Sequence, residues 1–260
     1  MVNYIICIPN SEGKVSGGDE NLIYRFVSNM KKNNYFLKLQ PQRDLIIDEI
    51  KRVLRDLSQE EISKFFDLKG ENLKDAISTM TALKDEGCMD AIARMSGVMY
   101  NSIDYSSLKD IDKERFNNSV LIFDGLFGLL RPLDKIPNYK CKVSMRLFDS
   151  TLAKFWNNEL RGYLEYICKD KLVIDVLPNS HKEMISKDDN INRLQIIFAK
   201  HQGDSFKLEG HASKELKGEL VRYIVSFDSI SKDDLKKFKH SKGHTFSEKF
   251  SSDDELVYII

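Results

Sequence analysis

The 260-residue chain contains no apolar run approaching the ~18 residues that a membrane-spanning helix needs, so no bilayer segment is expected. Its opening residues, MVNYIICIPN, lack a basic region followed by a long apolar stretch and do not read as a signal peptide. Cysteine is sparse. Cys7, Cys88, Cys141 and Cys168 stand singly, with no C-x-x-C, which argues against a zinc knuckle or a disulfide framework and suits a reducing cytoplasm. The histidines and cysteines nowhere fall at ligand spacing, so neither a metal nor a cofactor is expected. Net charge is also missing: 40 acidic residues balance 40 basic ones, and any nucleic-acid binding has to rest on local clustering. What remains is a composition, 42% hydrophobic and 31% charged, that can bury a substantial core.

The rest of the chain is organised around Val120 to Leu147. Val120 to Phe123 are consecutive apolar residues bounded by Asp124-Gly125, too short a run for a helix, and predict a strand buried on both faces. Gly125 and Gly128 flank Leu126 and Phe127, where backbone approaches a neighbour closely or turns with positive φ. Pro132 disfavours helix at Arg131 and so holds a guanidinium on extended backbone beside the core. That arginine needs a partner, either Asp134 in a structural turn or an anionic ligand.

Upstream, Val2 to Ile8 predict the first strand, ended by Pro9. The following PNSEGKVSGGD, residues 9–19, is either a flexible surface turn or a loop whose amides face an anion, with Lys14 adding charge. It lacks the G-x-x-x-x-G-K-S/T order of a phosphate-binding loop. Leu45, Ile46, Ile50, Val53, Leu54 and Leu57 lie on one stripe of a helix over residues 43–57, and Ser58 with Glu61 forms a capping box for the next. Short helices then meet at Lys69-Gly70. This is either a plain αα-corner or a helix–hairpin–helix whose amides grip a backbone phosphate, with Lys69 and Lys74 adding charge.

Gly97 predicts a helix end passing into a strand, with Tyr100 in the core, and a helix is expected over Asp110 to Phe116. Downstream, Thr151 to Lys169 reads as an amphipathic helix with Trp156 as a core anchor. Leu172 to Leu177 predicts a buried strand ending in PNSH, a place where polar residues can line a site, although His181 reads as a solvated loop residue. Another strand is expected at Leu194 to Lys200. A helix over residues 211–225 carries Lys214, Lys217 and Arg222. Its first two lysines share a face near the start, where the helix dipole opposes them unless an anion is bound; the alternative is a solvated face. Lys232 to His244 reads as a surface loop, and the final residues as a hairpin joined at Ser251 to Asp254.

The segment GLFGLLRPLDKIPNYKCKVSMRL resembles the signature of the bacterial YaaA family of peroxide-stress proteins, a G-L-Y-G-x-L-R-P-L-D followed by Pro-Tyr and M-x-R-L. Agreement elsewhere extends the resemblance over nearly all of the chain. Ser11, Glu12, Gly13, Lys14, Gly17 and Gly18 match the family's opening loop, with Asn10 in place of a second proline. Gly97 and Tyr100 keep the spacing of a second motif, Lys214, Lys217, Gly218 and Arg222 that of a third, and the ending is similar. One departure stands out: where the family has N-L-A-S-x-E-Y, Asp175 replaces the Asn, and Pro178, Asn179, Ser180 and His181 replace the later residues. Chemistry that depends on the family's serine and glutamate would be absent here.

The resemblance implies a DNA-binding hairpin at the Lys69-Gly70 turn and a cleft lined by basic residues from the N-terminal loop, the Arg131 segment and the 214–222 helix. The expected fold is a single α+β domain over residues 1–260, with a mixed central sheet, surrounding helices and a helix–hairpin–helix-like insertion at about 43–90. Two functions follow. One is a cytoplasmic stress protein that binds duplex or distorted DNA through Lys14, Lys69, Gly70, Lys74, Arg131, Lys214, Lys217 and Arg222, protecting DNA and limiting free-iron damage indirectly. The other is an enzyme acting on a nucleotide or another phosphorylated small molecule, with Glu12 and Lys14 near the chemistry.

Overall fold

The computed structural model describes residues 2–186, 190–210 and 213–260; His211 and Ala212, placed by the sequence at the start of a helix, lie outside the described residues. In chain order the strands are β1 (Tyr4–Pro9), β2 (Asp19–Ile23), β3 (Gly87–Asp90), β4 (Val120–Asp124), β5 (Gly128–Leu130), β6 (Lys135–Ile136), β7 (Arg146–Leu147), β8 (Ser150–Thr151), β9 (Leu172–Asp175), β10 (Asn192–Gln202), β11 (Ser205–Leu208), β12 (Thr245–Phe246) and β13 (Glu255–Ile259). The helices are α1 (Tyr24–Val27), α2 (Gln40–Asp56), α3 (Gln59–Phe66), α4 (Gly70–Ala82), α5 (Ala91–Arg94), α6 (Val98–Ile103), α7 (Asp110–Ser119), α8 (Leu152–Cys168), α9 (Asn179–Lys182), α10 (Ser213–Val225) and α11 (Lys232–Lys236). The fold is α+β.

The main sheet runs β12-β13-β10-β9-β1-β4-β5, with β11 paired to β10. Its middle, β13-β10-β9-β1-β4, is parallel, and β5, β11 and β12 add antiparallel edges, so the sheet is mixed as expected. Every residue of β4 and β9 is buried, as a parallel strand covered on both faces requires. The chain leaves β1 for β4 on one side and later returns to β9 on the other. That reversal makes the carboxyl ends of β1, β4 and β9 a topological switch point, the place where open α/β sheets hold ligands.

The turn between β4 and β5 explains the two glycines of the central segment. Gly128 has φ +69, and a Cβ there would lie 2.6 Å from the Trp156 ring. Trp156 is fully buried, and its indole N–H donates to the Gly125 carbonyl at 2.8 Å. Arg43 of α2 closes the same turn from the other side. Its buried guanidinium donates to the Phe127 and Leu129 carbonyls at 3.0 and 2.8 Å and to the Asn34 side chain at 2.6 Å. Each of those carbonyls would otherwise be a buried, unpaired acceptor.

Several expectations are corrected. Helix α2 begins at Gln40, with Pro41 in its first turn, and its buried stripe includes Ile47 while Leu45 is exposed. The helical insertion ends before residue 87, because Gly87–Asp90 is a strand paired with β2 and β6. Gly97, at φ +106, opens helix α6 instead of leading into a strand, since α5 and α6 meet there. The 232–244 segment is less of a surface loop than its lysines suggest: Leu235, His240 and His244 are buried.

Candidate anion-binding groove

Two buried carboxylates close the switch point. Asp124, at the end of β4, accepts the Leu126 and Phe127 amides at 2.7 and 2.9 Å and the Tyr139 hydroxyl. Asp175, at the end of β9, accepts the Leu177 amide at 2.7 Å and both Nε and Nη2 of Arg193, at 3.0 and 2.6 Å. With their oxygens so engaged, both act as scaffold.

The loop after β1 is not a free surface turn. Its residues lie along 94–96: the Val15 amide donates to the Arg94 carbonyl at 2.9 Å, the Ser96 amide to the Gly13 carbonyl at 3.1 Å, and the Ser11 hydroxyl to the Ser96 carbonyl. The buried Arg94 guanidinium ties down the carbonyls of Val15 and Gly17. This places Lys14 with its ammonium 4.0 Å over the Tyr139 ring, donating to the Ser11 carbonyl at 2.8 Å.

Around this loop three cavities share walls. One of 260 Å³ is lined by Glu12, Lys14, Phe66, Asn72, Lys140 and Cys141. Another of 540 Å³ runs from Ser11 and Glu12 past Tyr100 to Ser180, His181, Lys214 and Lys217. A third of 480 Å³ extends the first past Phe66 to Lys64, Lys142 and Arg146. Together they form one groove between the α3–α4 hairpin and the start of α10. Lys140 and Lys142 line it from the segment 139–147, which turns at Val143-Ser144 and in which buried and more exposed residues alternate. That alternation in YKCKVSMRL is a signal the sequence reading passed over.

Some of the groove's cations are already paired: Lys142 with Asp67 at 3.3 Å, Lys140 with Asp75 at 3.4 Å and Lys64 with Glu60 at 2.8 Å. Among the described residues, no carboxylate lies within ion-pair distance of Lys14, Lys214 or Lys217. Burial pushes the Lys14 ammonium down to about 8, against the partial support of Asp124. Lys217 is likewise pushed down to about 8 by burial, with Asp175 opposing and Lys182 adding to the shift.

His181 is buried, contrary to its reading as a solvated loop residue. Its Nε2 lies 3.0 Å from the Asn10 side-chain oxygen and its Nδ1 3.1 Å from the Ser180 hydroxyl. Donation from Nε2 to Asn10 and acceptance at Nδ1 from Ser180 satisfy all three groups with a neutral ring. Burial, then the nearby Lys217, pushes its pKa down to about 4, which agrees with that neutral form. Asn10 and His181 both stand where the sequence departs from the family pattern, and they touch one another.

The hairpin borders the groove through Phe66, Leu68 and Asn72. The capping box of Ser58 and Glu61 is present. Lys69 caps α4 without a side-chain bond, leaving its first amides uncapped. Gly70 has φ +57, and the space a β-carbon would take there is open, with nothing within 4 Å. Lys74 is not a free cation, since it pairs with Glu71 at 2.7 Å on the exposed helix face.

Arg131 and Arg222 do not join the groove. Strand β5 runs antiparallel to β4 and so returns the chain to the opposite end of the sheet. There the Arg131 guanidinium donates to the Asn118 and Val120 carbonyls, both at 3.1 Å, and stacks 5.0 Å over the Tyr35 ring. Asp134 pins the turn through the Arg131 and Tyr35 amides, at 2.8 and 2.6 Å. Arg222 sits at the far end of α10, where it donates to the Ile103 and Asp104 carbonyls at 2.9 and 3.0 Å and closes the end of α6.

Fold and groove define an α+β protein with a lysine-lined channel at the switch point of a parallel sheet core. Residues 5–250 match the family described as peroxide stress protein YaaA, and the chain belongs to that family. It is 25% identical over 252 residues to a UPF0246 protein of Rickettsia peacockii, covering 91% of this chain and 99% of that one. A UPF0246 protein of Rickettsia conorii is 27% identical over 251 residues, covering 90% and 98%. One from Clostridium perfringens strain 13 is 24% identical over 238 residues, covering 85% and 92%. Membership supports a role in peroxide stress. Among the described residues no helix is long and apolar enough to cross a membrane, and no group of three or more His, Cys, Asp or Glu could hold a metal ion.

Proposed function

We propose that this protein is a cytoplasmic peroxide-stress factor that binds DNA along the groove, gripping the phosphate backbone without strong sequence preference. One observation carries the reading: Lys14, Lys214 and Lys217, from segments 200 residues apart in the chain, line one groove with no carboxylate of a described residue in ion-pair contact with them. Two of them are kept in a half-buried position that is costly for an ammonium unless an anion arrives. The amides at the start of α4 and Lys69 extend the same footprint. Bound DNA would be shielded from oxidative attack, and any influence on iron would follow from that protection.

The test is salt dependence of duplex binding. With about three to five phosphate contacts at about −0.9 each, log affinity against log salt should fall with a slope of about −3 to −4 and differ little between sequences. A second reading, turnover of a nucleotide or other phosphorylated small molecule, is favoured by the 540 Å³ cavity and its polar lining of Ser180, His181 and Tyr100. A slope near zero, with turnover that needs Glu12 and Lys14, would make that reading the better one.

A further inference from the structure

The part of the groove under Lys14 is unlike a simple phosphate clamp. Its cavity, 260 Å³, is smaller than the ~300–1,000 Å³ typical of ligand pockets, and so suits a sugar better than a whole nucleotide. Phe66, Leu68 and Met145 give it apolar walls, and the Tyr139 ring lies beneath the Lys14 ammonium. Glu12 is the one carboxylate among its lining residues. A lysine at the surface is a strongly hydrated point charge. Here the amine is instead withdrawn beside an aromatic face, with one backbone carbonyl as its hydrogen-bond partner.

We infer that Lys14 forms a reversible imine with an aldehyde carried on a phosphorylated sugar, with the ring-opened, base-less deoxyribose of damaged DNA as its foremost source. The inference rests on the anion-groove reading above. In the step, the neutral Lys14 Nζ adds to the aldehyde carbon to give a carbinolamine. Loss of water then leaves a C=N bond; the aldehyde oxygen departs with the two protons that the amine gave up. No oxidant or reductant is consumed. Glu12 carries the proton between nitrogen and leaving oxygen, while Lys140, Lys142 and the uncapped start of α4 face the flanking phosphates. With the ammonium pushed down to about 8, roughly a tenth of Lys14 is neutral at pH 7, against roughly one in three thousand for an ordinary lysine.

The experiment treats the full chain with sodium borohydride beside a duplex carrying one abasic site, an intact duplex, and ribose 5-phosphate. Noncovalent retention of both duplexes is measured in parallel. The expected result is a covalent protein–DNA product with the abasic duplex only, its adduct mapped to the Lys14 peptide. Its rate of formation per bound duplex should rise with pH as the Lys14 ammonium loses its proton. Lys14→Arg, checked for folding by its melting curve, should cut the product formed per bound duplex at least tenfold. Mapping in the unaltered protein needs no variant at all. An adduct on Lys14 with ribose 5-phosphate alone supports the imine and assigns the aldehyde to a free sugar phosphate, against the DNA reading. Both duplexes retained with no adduct, or adducts spread over exposed lysines such as Lys69, would overturn the imine and leave DNA binding standing.

Discussion

Gly128 sits at φ +69 with the Trp156 ring so near that a methyl group would come within 2.6 Å of it. The indole cannot retreat, because its N–H is fixed on the Gly125 carbonyl. Gly128→Ala should therefore cost about 2–4 kcal/mol of stability, from backbone strain and overpacking together, as a lowered urea midpoint at unchanged slope. The need for glycine here was legible in the sequence; its tryptophan partner was not, being 28 residues away on another element. Arg131 shows the same limit. Its demand for partners followed from charge beside a core, but its location depended on the direction of β5, which no local pattern states. His181 was misread because a short polar loop looks solvated until Asn10 and Lys217 close over it.

The α3–α4 hairpin is the element whose outline the sequence specified best. The capping box, the turn and the helix start all lie where propensity puts them. Its function is open to a direct test through two lysines that differ in one respect. Lys69 has no carboxylate partner among the described residues, whereas Lys74 shares its charge with Glu71. Lys69→Ala should flatten the salt slope of duplex binding by about one unit, and Lys74→Ala by clearly less. Equal effects, or none, would return the hairpin to the status of a corner. The α5–α6 junction is the opposite case. Gly97 announces a break, but both flanking helices are a turn or so long, too short to leave a periodic signature.

At the scale of the whole molecule, the half-buried Lys14 and Lys217 make stability and binding respond to pH with opposite signs. In the free protein both pKa values, about 8, lie below the unfolded value of 10.5, so the unfolded chain holds more protons between those limits. The penalty these two lysines impose is complete below about 8 and fades as pH rises towards 10.5; their contribution should therefore make urea unfolding harder at pH 9.5 than at pH 7.5. A bound anion favours the charged amines, so DNA affinity should be full below about 8 and decline across the same window. The order of the chain adds a consequence in time. The groove draws on residues 11–14, 66–72, 96–100, 140–145, 180–181 and 214–217, and β1, which lies between β9 and β4, is synthesised long before both of these neighbours. A growing chain thus carries an apolar strand waiting on both edges, and acquires Lys214 and Lys217 only after more than three-quarters of it exists. Incomplete chains on the ribosome would therefore lack a finished grip on polyanions, nearby RNA included.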